Sequence, residues 1–362
     1  MSAPQERRLA GAAALSSVAM LVFGVLAYRL WLEHWPAPWT KAFDRWDAEN
    51  YLLVARDGYR TTGHKAFTIT LPPLFPTLIR VGALLTANLD VSALLISNLA
   101  LIVALVLLYR LAKLDLPEAS ARWAPWFLAY FPTAYFLRVG YTESLFLALA
   151  LGSFLLARHK RWGPSAALAF LAAALRVNGF LLGPALAVEA LESEGRGGAA
   201  RRAWPLLLVP LGLLVQVANC WLVYGKPLVF FEIQKTKFGK QLDFPWVGLW
   251  GALKGLTWRP LYDKIMVAGL EALAGVLLWA FVAWSWRNQR RSYAVYSLLT
   301  VAQFTFMNFW CSLPRYALCV FPLFLAFAGT VRDERLIRLV LGAGALLQTA
   351  GLALFVAGWW AF

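Results

Sequence analysis

The stretch F-D-R-W-D-A-E-N-Y, from Phe43 to Tyr51, sets Asp44, Asp47 and Glu49 close together. Helical spacing puts Asp44 and Asp47 on one face, at i and i+3. Carboxylates so placed can act as a general base or hold a divalent metal. They can equally form a solvated acidic edge that balances Arg45 and Arg56, since surface ion pairs are common and need no function. Arg138, Glu143, Arg176 and Arg315 are sharper, because each lies at or near the end of an apolar run. Ionisable groups in such places are costly and face a cavity or a partner. Each alone could instead snorkel to lipid headgroups, with Arg138 and Glu143 as an ion pair. Lys235 and Lys237 add cations in a second polar stretch that begins Y-G-K-P-L-V-F-F-E-I-Q-K-T-K, at Tyr224. Glu271 lies inside an apolar run, where it is either functional or a polar bridge between helices. His34 and His64 lack metal-ligand spacing, so no metal site is expected from them.

The elements that must carry these residues follow from composition. Of 362 residues, 60% are hydrophobic and 15% charged, against roughly 45–50% and about 25% in a soluble domain. This excess excludes a soluble core, and a disordered chain shows the opposite bias. Long unbroken apolar runs exclude a β-barrel, whose strands alternate. What remains is an all-α polytopic membrane protein. The net charge of +15 then reads as lysine and arginine in cytoplasmic loops, in contact with anionic membrane lipids, and no nucleic-acid partner is expected. Cys220, Cys311 and Cys319 lie in apolar runs, and such an odd set is no disulfide framework. The first apolar run, Leu9 to Leu32, is too long for a signal peptide and is read as a permanent first helix.

Arg7 and Arg8 before that helix place the N-terminus in the cytoplasm. Basic clusters recur at Arg110/Lys113/Arg122, Arg158/Lys160/Arg161, Arg196/Arg201/Arg202, Arg287/Arg290/Arg291 and Arg332/Arg335/Arg338. For all five to be cytoplasmic, the segment Leu71–Leu85 must lie at the interface without crossing. The run from Gly163 to Glu189 must then cross twice, as two short broken helices that turn at R-V-N-G, Arg176 to Gly179. About eleven transmembrane helices are expected, at 9–32, 91–112, 123–139, 142–158, 163–175, 179–191, 203–224, 262–286, 292–310, 316–331 and 336–358. They would form a single transmembrane domain over 1–362. Its first external loop would be about 33–90, with interfacial helices, and its second about 225–262. Trp246, Trp250 and Trp258 in the second loop fit an aromatic belt or re-entrant packing.

Six blocks, in order, resemble the GPI mannosyltransferase II family. They are W-D-A-E-N-Y…A-R-D-G-Y (Trp46–Tyr59), P-P-L-F-P-T-L (Pro72–Leu78), F-P-T-A-Y-F…Y-T-E-S-L-F (Phe131–Phe146), L-R-V-N-G (Leu175–Gly179), G-K-P-L-V-F-F-E-I-Q (Gly225–Gln234) and S-L-P-R-Y-A-L-C-V-F-P-L-F (Ser312–Phe324). The resemblance implies the GT-C glycosyltransferase fold and an inverting enzyme that uses a lipid-phosphate sugar on the non-cytoplasmic side. The family's W-D aspartate falls on Asp47, and Asn50 stands where the family often has histidine. The length and the Ala, Leu, Arg and Trp bias look bacterial. Bacteria make no GPI anchors, so the acceptor expected is another glycan or glycolipid. The expected place is the bacterial cytoplasmic membrane, with the active site facing outside.

On this resemblance Asp47 is the general base; Glu49 lies in the same block, and Asp44, just outside it, is a further catalytic candidate. Arg315 binds the donor phosphate, followed by Arg176, Lys235 and Lys237, because preplaced cations stabilise the charge growing on a phosphate leaving group. Trp46, Asn50, Tyr59, Glu143, Asn178 and Tyr316 are the expected substrate contacts. A polyprenyl-phosphate mannose or similar hexose is the expected donor, without cofactor, and a divalent metal is not favoured. Two other classes stand beside this one. A transporter or lipid flippase would also use broken helices, but charges inside the spans are few and the polar blocks cluster on one face. A non-catalytic anchoring subunit would not need Asp47.

Overall fold

The computed structural model describes residues 3–362, and among these the regular elements are helices. The longer ones are α1 Ala3–Leu32, α2 Asp47–Asp57, α3 Leu74–Thr86, α4 Leu89–Asp115, α5 Glu143–Arg158, α6 Trp162–Leu175, α7 Leu182–Arg202, α8 Gly212–Tyr224, α9 Val229–Phe238, α10 Pro245–Trp258, α11 Leu270–Asn288, α12 Arg291–Thr305 and α13 Glu334–Val356. Five segments are long and apolar enough to cross a membrane: Gln5–Leu32, Leu89–Asp115, Trp204–Tyr224, Leu261–Asn288 and Glu334–Val356. The number rises to seven if two bent helix pairs each count as one span. At 1.5 Å per residue, the 27 residues of α4 reach about 40 Å, more than the ~30 Å hydrocarbon core. Leu15, Leu222 and Leu346 are 72%, 81% and 75% exposed, as lipid-facing side chains would be.

The chain divides into two compact units. The first comprises Met1–Gly58, Leu74–Leu155 and Phe324–Ala361. Within it α1 and α4 pack together and run in opposite directions. Glu6 near the start of α1 takes a two-pronged bond from Arg110 near the end of α4, at 2.7 and 2.8 Å. Just beyond the other end of α1, Thr40 Oγ1 donates to Asp90 at the start of α4, 3.3 Å away. The Asn88 side chain caps α4 by accepting from the Val91 amide at 3.0 Å. Asp333 caps α13, and Glu334 in its first turn pairs with Arg122 at 2.6 Å. Three of the basic groups thus gather where α1 begins, α4 ends and α13 begins, the end opposite to Asp44 and Asp90.

The second unit comprises Tyr59–Pro73, Leu156–Leu323 and Phe362. Its α6 is rich in alanine, which lets the 3-10 helix Trp204–Leu211 and α8 approach closely. Glu189 on α7 is 1% exposed. It accepts from Arg290 at 2.9 and 3.2 Å and from Ser292 Oγ at 2.6 Å, and it lies 3.5 Å from Arg158. Glu194 pairs with Arg202 at 3.0 Å and with Lys160 at 3.8 Å. Three basic clusters therefore meet around one acidic stretch of α7, as a shared side requires.

Several expected spans are not continuous helices. The segment 123–139 is a helix over Ala124–Ala129, then a 3-10 turn over Ala134–Leu137, because Pro132 cannot continue the ladder. The segment 316–331 is split at Pro322 into Leu313–Tyr316, Ala317–Cys319 and Pro322–Thr330. The expected break at R-V-N-G is present: α6 stops at Leu175 and a 3-10 turn covers Val177–Leu181 before α7. At 13 residues, α3 is about 20 Å long, too short to cross alone. Eleven uninterrupted spans are thus not found among the described residues.

Candidate active site

In the first unit, α2 begins at Asp47. The residue before it, Trp46, has φ 54° and ψ −117°, a backbone conformation that costs a bulky residue about 1–3 kcal/mol. Its neighbours hold it there. The Asp47 amide donates to Tyr141 Oη at 3.2 Å, and Tyr141 Oη donates to the Arg45 carbonyl at 3.2 Å. Arg45 Nε donates to the Val356 carbonyl at 3.1 Å, and the Trp46 ring meets Trp360 edge-on at 5.3 Å. Asn50 Nδ2 returns to the Trp46 carbonyl at 3.0 Å. Tyr141 is itself buried and anchored, since Ser97 Oγ donates to its carbonyl at 2.9 Å. Glu143, fully buried, opens α5 two residues later. The W-D-A-E-N and Y-T-E-S blocks are therefore one construction, joined by a tyrosine that was not among the expected site residues.

Asp44 stands apart from this arrangement. It closes the 3-10 turn Trp39–Phe43, and the turn at Trp46 separates it from α2, so Asp44 and Asp47 are not partners on one helical face. Asp44 accepts from Lys41 Nζ at 2.7 Å, and that bond holds the Lys41 ammonium above the ordinary lysine range. Asp44, Glu49, Lys41, Arg56 and Asp90 line a cavity of about 320 Å³. Glu49 and Arg56 reach it from one face of α2, while Asn50, Tyr51 and Val54 are buried from another. Among the described residues, no three of His, Cys, Asp or Glu come together as metal ligands.

In the second unit, the expected cations Arg176 and Arg315 come to one ring. The guanidinium carbons lie 5.9 and 5.7 Å from the centre of Tyr316. Phe304 stacks on the same ring at 4.2 Å and 12°. Arg176 Nε also donates to Asn178 Oδ1 at 3.3 Å. The R-V-N-G turn folds tightly onto α6: a Cβ on Gly179 would lie 2.3 Å from the Ala172 backbone, so only glycine fits. Arg315 is 6% exposed. Glu271 accepts from the amides of Ser312 and Leu313 at 2.5 and 2.9 Å, at the start of the turn that carries Arg315 and Tyr316. Tyr59 belongs elsewhere in this unit. Its hydroxyl donates to the Leu71 carbonyl at 2.7 Å, and its ring packs on the Ile69, Cys220, Val229 and Ile233 cluster. Lys235 and Lys237 are exposed on α9, and no hydrogen bond or ion pair among the described residues draws them to Arg176 or Arg315.

Residues 27–189 match a family model described as Mannosyltransferase (PIG-V). Over these residues, less than half of its length, the chain is similar to this family. The match takes in Asp47, Tyr141, Glu143, Arg176 and Asn178. Lys235, Glu271, Arg315 and Tyr316 lie beyond the matched residues. No curated protein matches the chain. Among solved structures it is similar to the Archaeoglobus fulgidus oligosaccharyltransferase complex with Zn and sulfate, at 13% identity and TM-score 0.48, over 97% of this chain and 53% of that one. It is also similar to the A. fulgidus oligosaccharyltransferase AglB in complex with an inhibitory peptide and a dolichol-phosphate, at 12% identity and TM-score 0.49, over 98% and 56%. The chain spans about half the length of these proteins.

Proposed function

We propose that this chain transfers a mannose, or a similar hexose, from a polyprenyl-phosphate donor to a glycan or glycolipid acceptor, with inversion at the anomeric carbon. The observation that carries the proposal is the convergence of Arg176 and Arg315 on the Tyr316 ring. A guanidinium can grip two phosphate oxygens at once, so two cations gathered at one ring suit an anionic phosphate. Asp47 takes the proton of the acceptor hydroxyl as that oxygen forms its bond to the anomeric carbon. The bond from that carbon to the phosphate oxygen breaks, and the electron pair leaves on the lipid phosphate. Arg315 and Arg176 receive the growing charge, so no metal or cofactor is assigned.

Asp44 neutralises Lys41 in this scheme, and Tyr59 supports the loop. Trp46, Asn50 and Glu143 shape the surroundings of Asp47, while Asn178 and Tyr316 hold the two arginines. Lys235 and Lys237, exposed on α9, are further cations for the donor phosphate behind the two arginines. The membrane is the bacterial cytoplasmic membrane, with the Asp47 end outside.

The test is incubation of purified protein with polyprenyl-phosphate-mannose and cell-envelope glycolipids, read by mass spectrometry. A glycan or lipid that gains one hexose supports the proposal. Intact donor after prolonged incubation contradicts it.

A further inference from the structure

Glu271 sits inside an apolar segment long enough to cross a membrane and is fully buried, and among the described residues its carboxylate takes backbone amides and no side-chain hydrogen bond. Its two oxygens take the Ser312 and Leu313 amides, at 2.5 and 2.9 Å. Ser312 has φ 67°, a left-handed backbone that is unfavourable for a residue with a Cβ and needs outside support. One turn along α11 from Glu271, on the same face, is Gly275. A Cβ there would lie 2.2 Å from the Trp310 ring, and one on Gly248 of α10 would lie 2.4 Å from it. Trp310 Nε1 donates to the Thr305 carbonyl at 2.9 Å. Upstream, the Asn308 amide and side chain bond the Gln241 and Gly239 carbonyls, both at 3.0 Å. The segment from α12 to Arg315 is therefore docked on α11 at two adjacent points, a ring against Gly275 and two amides on Glu271.

We infer that Glu271 is a positioning residue for the phosphate-binding arginine: it fixes the S-L-P-R-Y turn so that Arg315 and Tyr316 are presented in one orientation. This rests on the proposed role of Arg315. The arginine has no hydrogen-bonded contact with Glu271, so the effect passes through the backbone between Ser312 and Arg315. A glutamine at this position keeps size and one acceptor oxygen, but turns an N–H toward an amide N–H. One bond is lost and the turn loosens, while the fold keeps its packing.

The experiment compares wild type, Glu271→Gln, Arg315→Ala and the double variant, by steady-state mannosyl transfer and by amide hydrogen exchange. Glu271→Gln is expected to raise exchange at Ser312 and Leu313 and to lower kcat by about 10-fold or more, with donor KM within about 3-fold, as befits a group acting through transition-state charge. The double variant is expected to be no slower than Arg315→Ala alone, because both changes remove one effect. Gly275→Ala, which displaces Trp310 from α11, gives a second route to the same readouts where Glu271→Gln does not accumulate. Unchanged exchange at Ser312 and Leu313 overturns the inference whatever the activity, and so does a double variant whose losses multiply. The proposed function fails separately: wild-type protein that transfers no sugar contradicts it, while the exchange comparison still decides the role of Glu271.

Discussion

Tyr141 Oη lies 3.2 Å from the Asp47 amide nitrogen and the same distance from the Arg45 carbonyl oxygen. It therefore spans Trp46, the residue with the strained backbone, and sets the first turn of α2. Tyr141→Phe keeps the ring and removes both bonds. The expected loss is about 1–3 kcal/mol for buried groups left without partners, seen as a lower melting temperature, together with slower transfer. A variant that melts and turns over like wild type would show that packing alone places Asp47.

Asp47 and Asp44 are expected to differ sharply. Asp47→Asn should lower turnover by at least ~100-fold, the usual worth of a general base, with donor binding retained. Asp44→Asn should cost much less, since Asp44 serves Lys41. Equal losses at both positions would point to shared chemistry that the separate settings of the two carboxylates do not predict.

The same pair has a pH signature. The bond to Asp44 raises the Lys41 pKa above 10.5. A raised value in the folded state means that the pair's contribution is complete below the ordinary lysine pKa and is lost as pH rises through the folded one. Asp44→Asn should therefore alter the stability profile only by removing a contribution that is constant at neutral pH and fades in strong alkali. A thermal-melt series from pH 7 to pH 11 checks it, and a difference between the variants that grew with rising pH would contradict the assignment.

Glu189 is the centre of the other ionic group. Glu189→Ala removes the buried carboxylate that Arg158 and Arg290 share, and should cost about 3–5 kcal/mol. The readout is the thermal transition of protein in detergent or nanodiscs. Near-wild-type melting would mean that Glu192 and water replace it.

Much of the first unit was legible in the sequence. The runs at 9–32 and 91–112 lack internal charges and have basic ends, and α1 and α4 occupy them. The break at Arg176–Gly179 followed from charge placement, and Gly179 marks it in the structure. Hydrophobicity predicts continuous spans over 123–139 and 316–331, but it weighs neither the helix-stopping effect of Pro132 nor the break between Cys319 and Pro322. The spacing predicts Asp44 as a helical neighbour of Asp47, because the residue type of Trp46 gives no warning of its positive φ. Tyr141 lay inside a recognised block, but a phenol among apolar residues carries no obvious chemistry. Glu271 was visible as a buried charge. Its targets are backbone amides some forty residues later, which no side-chain pattern reveals.

Orientation within the first unit is open to labelling. α1 and α4 are antiparallel, with Arg122 at one end of the pair and Glu49 near the other. Single cysteines placed at Glu49 and Arg122, in a background without Cys220, Cys311 and Cys319, should react with an impermeant maleimide from opposite faces of a sealed vesicle. The Glu49 position should be the external one. Reaction of both from one face would contradict the arrangement.

The most direct measurement of the central claim is mannosyl transfer from polyprenyl-phosphate-mannose by wild type, Arg315→Lys and Arg315→Ala, at matched protein levels. Lysine keeps the charge but loses the fork that grips two oxygens. The account predicts a clear fall in kcat for Arg315→Lys, with some activity left, and near-complete loss for Arg315→Ala, each larger than the change in donor affinity. Unchanged turnover in Arg315→Lys would mean that this arginine only reaches toward lipid headgroups, and would contradict its assignment to the leaving phosphate.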